Sequence, residues 1–273
     1  MMSGNTNLSH FVPMTSFRKP AQFRLFLLLF FILVTPRWAI AQISPKPDGV
    51  FRSLFGLSIS ASEGNTRSAA ATLTGEGVRQ TEDSKWSLLG RLNYARADTG
   101  TTASNVAAST QYDQNLMNQE WFGFSKLDYF RDRPANIESR VSAYGGLGKH
   151  VIKTEENTWD LSTGIGYSED RYVEAADVAG DLRSSYGRTE LVMIEASNHK
   201  LTPNTSARQK FEVYPNMRTR GEYRTVLDLG LAVAITDRMQ LTTGLLHRYN
   251  SDPGLGLRRS DALFTTGIAV RFD

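Results

Sequence analysis

Hydrophobic and polar residues alternate along most of the chain after residue 50. In the stretch YRTVLDLGLAVAI, residues 223–235, the odd positions are mostly large and apolar, and the even positions are polar, charged or small. A period of two places successive side chains on opposite faces of an extended strand. The stretches at 51–61 and 262–272 alternate in the same way. The pattern therefore predicts strands with one apolar and one polar face.

Twelve such segments follow one another without a linker or a break in composition, which predicts one domain from residue 42 to residue 273. Turn-forming residues separate them, for example EGN at 63–65, RPAN at 133–136 and SDPG at 251–254. The predicted strands are 50–62, 66–80, 84–98, 104–115, 119–131, 135–149, 157–170, 184–200, 205–216, 221–235, 238–250 and 260–272.

Three tryptophans are each followed, eight residues later, by a tyrosine. The pairs are Trp86 and Tyr94, Trp121 and Tyr129, and Trp159 and Tyr167. Because eight is even, both rings of a pair share a strand face, and eight residues of a tilted strand rise roughly 20 Å. A transmembrane barrel carries aromatic girdles at both edges of an apolar band about 25 Å tall. We therefore expect the tryptophans at the periplasmic interface and the tyrosines at the outer one.

These patterns predict an all-β fold, a twelve-stranded antiparallel up-and-down transmembrane β-barrel in the bacterial outer membrane. The longest connections, 173–184 and 250–260, fall at one predicted end, and the shortest, 236–237, falls at the other, as in outer-membrane barrels. The alternative is a soluble β-sandwich or a lipocalin-like barrel. Charged pairs such as Lys126 and Asp128 on the second face argue against it, because that face would have to form a core.

Residues 1–41 are predicted to be a signal peptide. Basic residues precede the apolar run LFLLLFFILV at 25–34, and Ala39 and Ala41 fit a signal-peptidase site before Gln42. Ten apolar residues are too few for a membrane-spanning helix, which needs about 20. An uncleaved anchor is the alternative.

Removal of this leader changes the charge of the protein. The whole chain has 31 basic and 28 acidic residues, and the leader holds four of the basic residues and no acid. The remaining 27 basic and 28 acidic residues give a net charge of −1, so the basic isoelectric point does not indicate nucleic-acid binding. The chain has no cysteine, which excludes disulfides, a thiol nucleophile and thiolate metal ligands.

The polar face of the predicted barrel should carry charges of both signs. Segments four and eight have an ambiguous register, and nine clearer strands place thirteen charged residues inside. Two registers of the ninth and tenth strands are open: one opposes Glu212 to Arg224, the other Lys210 to Asp228. Twelve strands with long side chains inside should leave a narrow or blocked passage. The predicted lumen charges are Arg52, Arg91, Lys126, Asp128, Glu138, Arg140, Asp160, Lys210, Glu212, Arg224, Asp228, Arg248 and Arg271.

No motif predicts a catalytic residue, a metal site or a cofactor. His150, His199 and His247 lack metal-ligand spacing, and GGLGKH at 145–150 lacks the spacing of a phosphate-binding loop. Glycines at those positions instead suggest room for wall curvature or for large side chains that cross the lumen. A Ser–His pair assembled across strands stays open, and with it a lipid hydrolase at the outer rim.

The last strand resembles the terminal signature that the barrel-assembly machinery reads. In GIAVRF, residues 267–272, the glycine, apolar and aromatic positions are Gly267, Val270 and Phe272. Asp273 departs from the pattern, which usually ends on the aromatic residue. The expected partners are this machinery and outer-membrane lipid; the oligomeric state is left open.

Two longer stretches resemble the salt-induced outer-membrane proteins, a family of unknown function. GLSISASEGNTRSAAATLTGEG at 56–77 resembles the start of that family, and LDYFRDRPANIESRVSAYGGLGKHV at 127–151 its middle. The resemblance implies a bacterial outer-membrane barrel and a setting of salt or osmotic stress, and it supplies no catalytic residues. We expect an envelope-structural protein or a narrow passive pore rather than an enzyme. The alternatives are the lipid hydrolase and a binding or adhesin protein that uses the loops 171–183 and 250–260.

Overall fold

The computed structural model describes residues 46–62, 68–98, 100–116, 119–254 and 256–272. The predicted signal peptide and its cleavage site lie outside these residues. The described residues contain no helix long and apolar enough to cross a membrane. The strands are β1 (Phe51–Ser62), β2 (Ser68–Gln80), β3 (Ser84–Ala97), β4 (Gly100–Leu116), β5 (Trp121–Asp132), β6 (Ile137–Lys153), β7 (Asn157–Val178), β8 (Asp181–Thr202), β9 (Thr205–Pro215), β10 (Tyr223–Ala234), β11 (Met239–Asn250) and β12 (Ser260–Phe272).

The predicted barrel is confirmed. Each strand pairs antiparallel with its neighbours in sequence, and β1 pairs with β12 to close the sheet. Closure leaves no open sheet edge, and this satisfies the backbone hydrogen bonds that a lipid environment could not.

Side chains on the two faces of the wall are distributed in the reverse of a soluble protein. Large apolar residues on the outer face are exposed, whereas Lys126, Asp170 and Glu190 on the inner face are buried. An apolar outer surface around a charged interior is the architecture of a bacterial outer-membrane barrel. Exposed apolar residues from five strands include Leu57, Leu127, Leu147, Ile165 and Phe264.

The two ends of the barrel differ in the length of their connections. At one end β2 joins β3 through 81–83, and β6 joins β7 through 154–156. At the other end the connections include 216–222 and 251–259, and the β7–β8 hairpin extends through strands of 22 residues each. Outer-membrane barrels have short periplasmic turns and longer outer loops. We therefore take the end with the long connections as the outer end.

The predicted loop at 173–184 is instead the tip of a hairpin. Between the pairs Arg171↔Ser185 and Ala176↔Arg183, four residues of β7 face a single residue of β8. This bulge lets pairing resume beyond it, and the hairpin ends at Ala179 and Gly180, which both have positive φ. The prediction of an irregular loop was wrong because a bulge interrupts the period of two that marks a strand.

The aromatic pairs lie on the outer wall of odd-numbered strands, with the tryptophans at the periplasmic ends and the tyrosines eight residues further along. Trp86 is the third residue of β3, Trp121 the first of β5 and Trp159 the third of β7. Trp86 and Trp121 are exposed, and the Trp86 indole donates a 2.7 Å hydrogen bond to Thr110 Oγ1. The exposed rings of Tyr94, Tyr129 and Tyr167 follow toward the outer end.

The position of these rings in the bilayer stays a prediction, which depth-dependent quenching can measure. Variants that keep one of the three tryptophans, with phenylalanine at the other two, should be quenched most by quenchers placed near the lipid headgroups. Indole rings prefer this interface because one edge is apolar and the other donates a hydrogen bond. Strongest quenching at the bilayer centre would contradict the girdle assignment.

Candidate functional site: the barrel lumen

Two ion pairs cross the lumen between strands that are not neighbours in the wall. Arg91 of β3 donates to Asp228 of β10 over 2.9 Å, and Arg208 of β9 is paired with Glu76 of β2. Arg208 also lies 3.9 Å from Asp228, so the two pairs form one chain of alternating charges. We call these four residues, Glu76, Arg91, Arg208 and Asp228, the lumen bridge.

Gly230 of β10 makes room for the bridge. A Cβ atom there would lie 2.7 Å from Nε and 2.9 Å from Cγ of Arg208. The arginine stem therefore packs against bare backbone as it extends into the lumen.

A cavity surrounds the lumen bridge on the side of β1, β2 and β10–β12, and polar and apolar groups line it in similar measure. Its volume is about 120 Å³, and it opens to solvent. Hydroxyl and amide side chains form much of its wall besides the bridge: Thr72, Thr74, Thr242, Thr265, Asn198 and Gln240. These groups offer hydrogen-bond donors and acceptors without a net charge.

The opposite side of the lumen is filled by aromatic and aliphatic side chains. They form one buried cluster of Phe122, Phe124, Tyr144, Val192, Ile194 and Tyr214. Glycines of β6 and β7 admit these rings: a Cβ at Gly148 would lie 2.2 Å from the Phe122 ring, and one at Gly166 would lie 2.3 Å from Tyr144. The glycine-rich stretch at 145–150 thus makes room for rings, as the sequence suggested.

Lys126 anchors this filled side. Its side chain is 3% exposed, and Nζ lies 2.6 Å from Asp128 Oδ2, 2.9 Å from Glu212 Oε1 and 2.9 Å from the Tyr214 hydroxyl. An ammonium group can be buried this deeply only when it is paired and hydrogen-bonded, as it is here. Because β5 and β9 are not adjacent, the contact ties two separate parts of the wall together.

A second buried charge cluster occupies the lumen toward the outer end. Asp170 of β7 accepts hydrogen bonds from Arg140 and from Arg188, at 2.6 Å and 3.1 Å. Glu190 of β8 accepts from Arg188 at 2.8 Å and from Arg224 at 2.7 Å. Each acid thus lies between two arginines, and the pairs cross-brace β6, β7, β8 and β10.

Asp170, Arg188 and Glu190 are lumen residues that the sequence pattern did not predict. Asp170 stood at the end of a strand that continues to Val178, and the register of β8 was ambiguous. The sequence pattern is ambiguous there, because both faces of β8 carry apolar residues: Leu191 and Met193 are exposed outside, and Val192 and Ile194 are buried inside.

The β7–β8 hairpin reaches from its own part of the wall to the β11–β12 loop. The Ala179 N–H at its tip donates a 3.0 Å hydrogen bond to Asp252 Oδ2, and its inner residues Ala176, Val178 and Tyr186 form a small buried cluster. The Tyr186 hydroxyl also donates to Glu222 at 2.9 Å. The two connections are therefore joined beyond the outer ends of the strands.

The second of the two open registers is the one observed, because β9 and β10 pair with Lys210 opposite Asp228. The two side chains nevertheless have other partners. Lys210 Nζ lies 3.0 Å from Glu212, and Asp228 faces Arg91 and Arg208. In a closed barrel, inward side chains meet residues from across the lumen as readily as those on the next strand.

Three other predicted lumen residues have partners near the ends of the barrel. Asp160 lies 2.6 Å from His150 Nδ1, Arg271 donates to the Asp237 carbonyl at 2.8 Å, and Arg52 is paired with Asp48. The Arg52 guanidinium, helped by the Val50 N–H, holds the pKa of the Asp48 carboxyl well below its usual range.

Arg248 and Glu138 complete the predicted set. The Arg248 guanidinium lies over the Phe130 ring, 4.7 Å from its centroid, and no carboxylate of the described residues lies within 4.0 Å of it. Glu138 is not in the lumen: it lies beside the β5–β6 turn and pairs with Arg131 and Arg133, at 3.2 Å and 2.9 Å. A β-bulge between Ile137 and Ser139 shifts the register there, so the alternation used to place Glu138 does not hold.

A Ser–His pair is present on the outer wall near the outer end. His247 Nε2 lies 2.7 Å from Ser260 Oγ. Within the described part of the chain no carboxylate or amide hydrogen-bonds His247 Nδ1, so the pair lacks the group that orients the imidazole in a catalytic triad. The same residues contain no group of three His, Asp or Glu that could hold a metal ion.

Comparisons with solved structures return membrane barrels of low sequence identity. The chain is similar to the NanC porin (14% identity, 81% of this chain and 99% of that one, TM-score 0.45). It is also similar to an outer-membrane channel from Pseudomonas putida F1 (13%, 81% and 93%, 0.41). A third is the translocator domain of the autotransporter NalP from Neisseria meningitidis (10%, 82% and 87%, 0.40).

The comparison with curated proteins found no match. The family model described as "Protein of unknown function, DUF481" matches residues 55–272, which is nearly the whole described barrel. The chain therefore belongs to the DUF481 family.

Proposed function

We propose that this protein is a narrow passive pore of the bacterial outer membrane, without enzymatic activity. The observation that carries the proposal is the division of the lumen into a filled side and a side with a cavity. A barrel that served only as a structural element could fill its whole interior with side chains, as small barrels do. Here the hydroxyl and amide groups around the lumen bridge offer small hydrophilic solutes a wetted surface.

The lumen bridge makes the proposed passage narrow and only weakly selective. Its arginines and acids lie within 4 Å of each other, so their fields largely cancel at the point where solutes would pass. Arg248, which faces an aromatic ring and has no paired acid, adds a small positive bias. Positively charged pore linings favour anions. We therefore expect a weak preference for anions.

Single-channel recording in planar bilayers tests the proposal. The expected result is a small conductance, with a reversal potential shifted slightly toward anions under a salt gradient. A large porin-like conductance or strong cation selectivity would contradict it. No conductance at all would leave an envelope-structural barrel as the better description.

The same recordings address the salt or osmotic-stress setting that the family resemblance implies. Arg208 and Glu76 are partly exposed, and salt screens exposed charges: the Debye length falls from about 10 Å at 0.1 M to about 3 Å at 1 M. A passage braced by such pairs should loosen as salt rises. We expect conductance to increase more steeply than that of the bulk solution over this range.

Recognition by the barrel-assembly machinery is part of the proposal. Val270 and Phe272 share the outward face of β12, and the Phe272 ring packs edge-on against Phe55 of β1 at 5.9 Å. The terminal aromatic residue thus lies at the seam where β1 and β12 close the barrel.

The lipid hydrolase is the second candidate, favoured by the contact between His247 and Ser260. The pair faces outward near the outer end, where a lipid ester could approach it. A serine needs an adjacent base to become a nucleophile, and His247 lies at the right distance for one. The missing orienting group makes the pore the better supported function.

A further inference from the structure

A basic and aromatic surface lies on the outer wall where β10, β11 and β12 reach the outer end. The rings of Tyr223 and Tyr249 stack there, with centroids 5.5 Å apart and an angle of 29° between their planes. Arg258 and Arg259 follow in the β11–β12 loop, and both are exposed. We call these four residues, together with His247, the rim surface.

Backbone hydrogen bonds hold the rim surface together. The Tyr223 N–H donates to Ser251 Oγ at 2.9 Å, and the Asn250 N–H donates to the Arg259 carbonyl at 2.8 Å. The second bond places the Arg259 backbone beside Asn250 at the end of β11. The arginine therefore extends from a fixed strand end rather than from the middle of the loop.

The rim surface is continuous with the apolar wall. Tyr223 shares the outward parity of Leu231 on β10, and Tyr249 shares that of Leu245 on β11, and both leucines are exposed. Because β10 and β11 are paired, these residues form a strip that runs from the apolar band to the rim. A molecule bound there would have apolar chains along the leucines and a head at the arginines.

The positive charge of the rim surface is not neutralised by the described residues. No carboxylate among them lies within 4.0 Å of Arg258 or Arg259. Of the nearest acids along the chain, Asp252 accepts from the Ala179 N–H, and Asp261 stands opposite Arg248 in the register of β11 and β12. This differs from Arg133 and Arg183, two outer-end arginines that have acidic partners.

The outer leaflet of an outer membrane consists of a phosphorylated glycolipid, so the unpaired arginines of the rim surface face an anionic surface. The periplasmic end exposes acids, such as Glu82 and Asp237, together with bases, such as Lys153 and Arg238.

We propose that the rim surface binds the phosphorylated saccharide head of the outer-leaflet glycolipid, lipopolysaccharide. Arg258 and Arg259 bind its phosphate groups, since a guanidinium matches phosphate geometry with two parallel hydrogen bonds. The Tyr223 and Tyr249 rings lie at headgroup level and contact the sugars, while the acyl chains lie along Leu231 and Leu245. This role is independent of whether the lumen conducts.

Native mass spectrometry of the detergent-solubilised barrel with lipid A, the bisphosphorylated anchor of lipopolysaccharide, tests this assignment. The double variant Arg258→Ala/Arg259→Ala should bind lipid A at least about tenfold more weakly, because hydrogen bonds to charged groups are among the strongest in proteins. Lipid A stripped of both phosphates should bind the unmodified protein with a similar loss. The matched control Lys153→Ala/Arg238→Ala removes two exposed basic residues at the periplasmic end and should leave binding unchanged.

Heat-modifiable gel mobility shows that each variant is folded before lipid is added. Equal binding by the rim variant and the control variant would overturn the proposal, and so would equal binding of the dephosphorylated lipid. The same spectra test hydrolysis. Loss of one acyl chain from bound lipid A, abolished by Ser260→Ala, would replace docking with catalysis at the His247–Ser260 pair.

Discussion

Replacing Leu147 with arginine is expected to weaken folding into lipid severely, whereas the same replacement at Leu182 should be nearly neutral. Both leucines are highly exposed, at 55% and 75%. Leu147 of β6 pairs with Thr163 of β7, which lies midway between Trp159 and Tyr167, so it should face the bilayer centre. An arginine on the lipid face costs about 2–4 kcal/mol at the midplane. Leu182 lies at the tip of the protruding β7–β8 hairpin, where an arginine stays in water.

Urea titrations of folding into phospholipid vesicles measure this difference. Heat-modifiable gel mobility gives the folded fraction, and the two variants form a matched pair because the side-chain change is identical. Leu147→Arg should destabilise the folded barrel by about 2–4 kcal/mol. Leu182→Arg should destabilise it by a few tenths of a kcal/mol at most. Equal losses would mean either that β6 does not span the bilayer in this register or that the hairpin tip is also in lipid.

Most of the fold could be predicted because the bilayer imposes a simple rule on each strand. Outward residues must be apolar and inward residues need not be, so alternation alone located twelve strands, most with ends correct to within about two residues. The prediction failed where the period of two breaks. Glu138 lies within a bulge of β6, and the continuation of β7 beyond Asp170 lies beyond another bulge. One extra residue reverses the face of every side chain that follows it.

The lumen was predicted less completely, since its contacts depend on closure. Alternation placed Arg91 and Asp228 inside, but their sequence separation of 137 residues gives no hint that they meet. The strand neighbours Lys210 and Asp228 looked like partners, yet each has other partners in the barrel. Which inward residues meet is set by barrel circumference and stagger, properties of all twelve strands together.

The division of the lumen into a filled side and a side with a cavity also could not be predicted from the pattern of single strands. The glycine-rich stretch at 145–150 indicated room for large side chains, but the rings that use this room, Phe122 and Phe124, come from the neighbouring strand β5. The cavity survives on the other side because Thr72, Thr242 and Thr265 are too short to reach across it. Small residues thus play two roles in this barrel: on β6 and β7 they let the lumen fill, and on β2, β11 and β12 they leave it open.

Neutralising the two ends of one cross-lumen pair is expected to shift ion selectivity in opposite directions. Arg208→Gln removes a positive charge and leaves the Glu76 carboxylate without its arginine partner. Asp228 stays paired with Arg91, so the net change in the lumen is one uncompensated negative charge. Glu76→Gln has the reverse effect, since it leaves Arg208 with only the more distant Asp228 at 3.9 Å. An unpaired charge in a confined lumen attracts counter-ions strongly, because little water screens it.

Reversal potentials under a salt gradient measure these shifts. The cation-to-anion permeability ratio should rise several-fold in Arg208→Gln and fall by a similar factor in Glu76→Gln. The double variant should return to weak selectivity but conduct more than the wild-type protein, because both the charge imbalance and the bridging side-chain contact are gone. Arg133→Gln, in an exposed pair outside the lumen, is the matched control and should change neither quantity. Shifts of the same sign in both single variants would show that ions do not pass the lumen bridge, and the passage would then have to be sought elsewhere in the barrel.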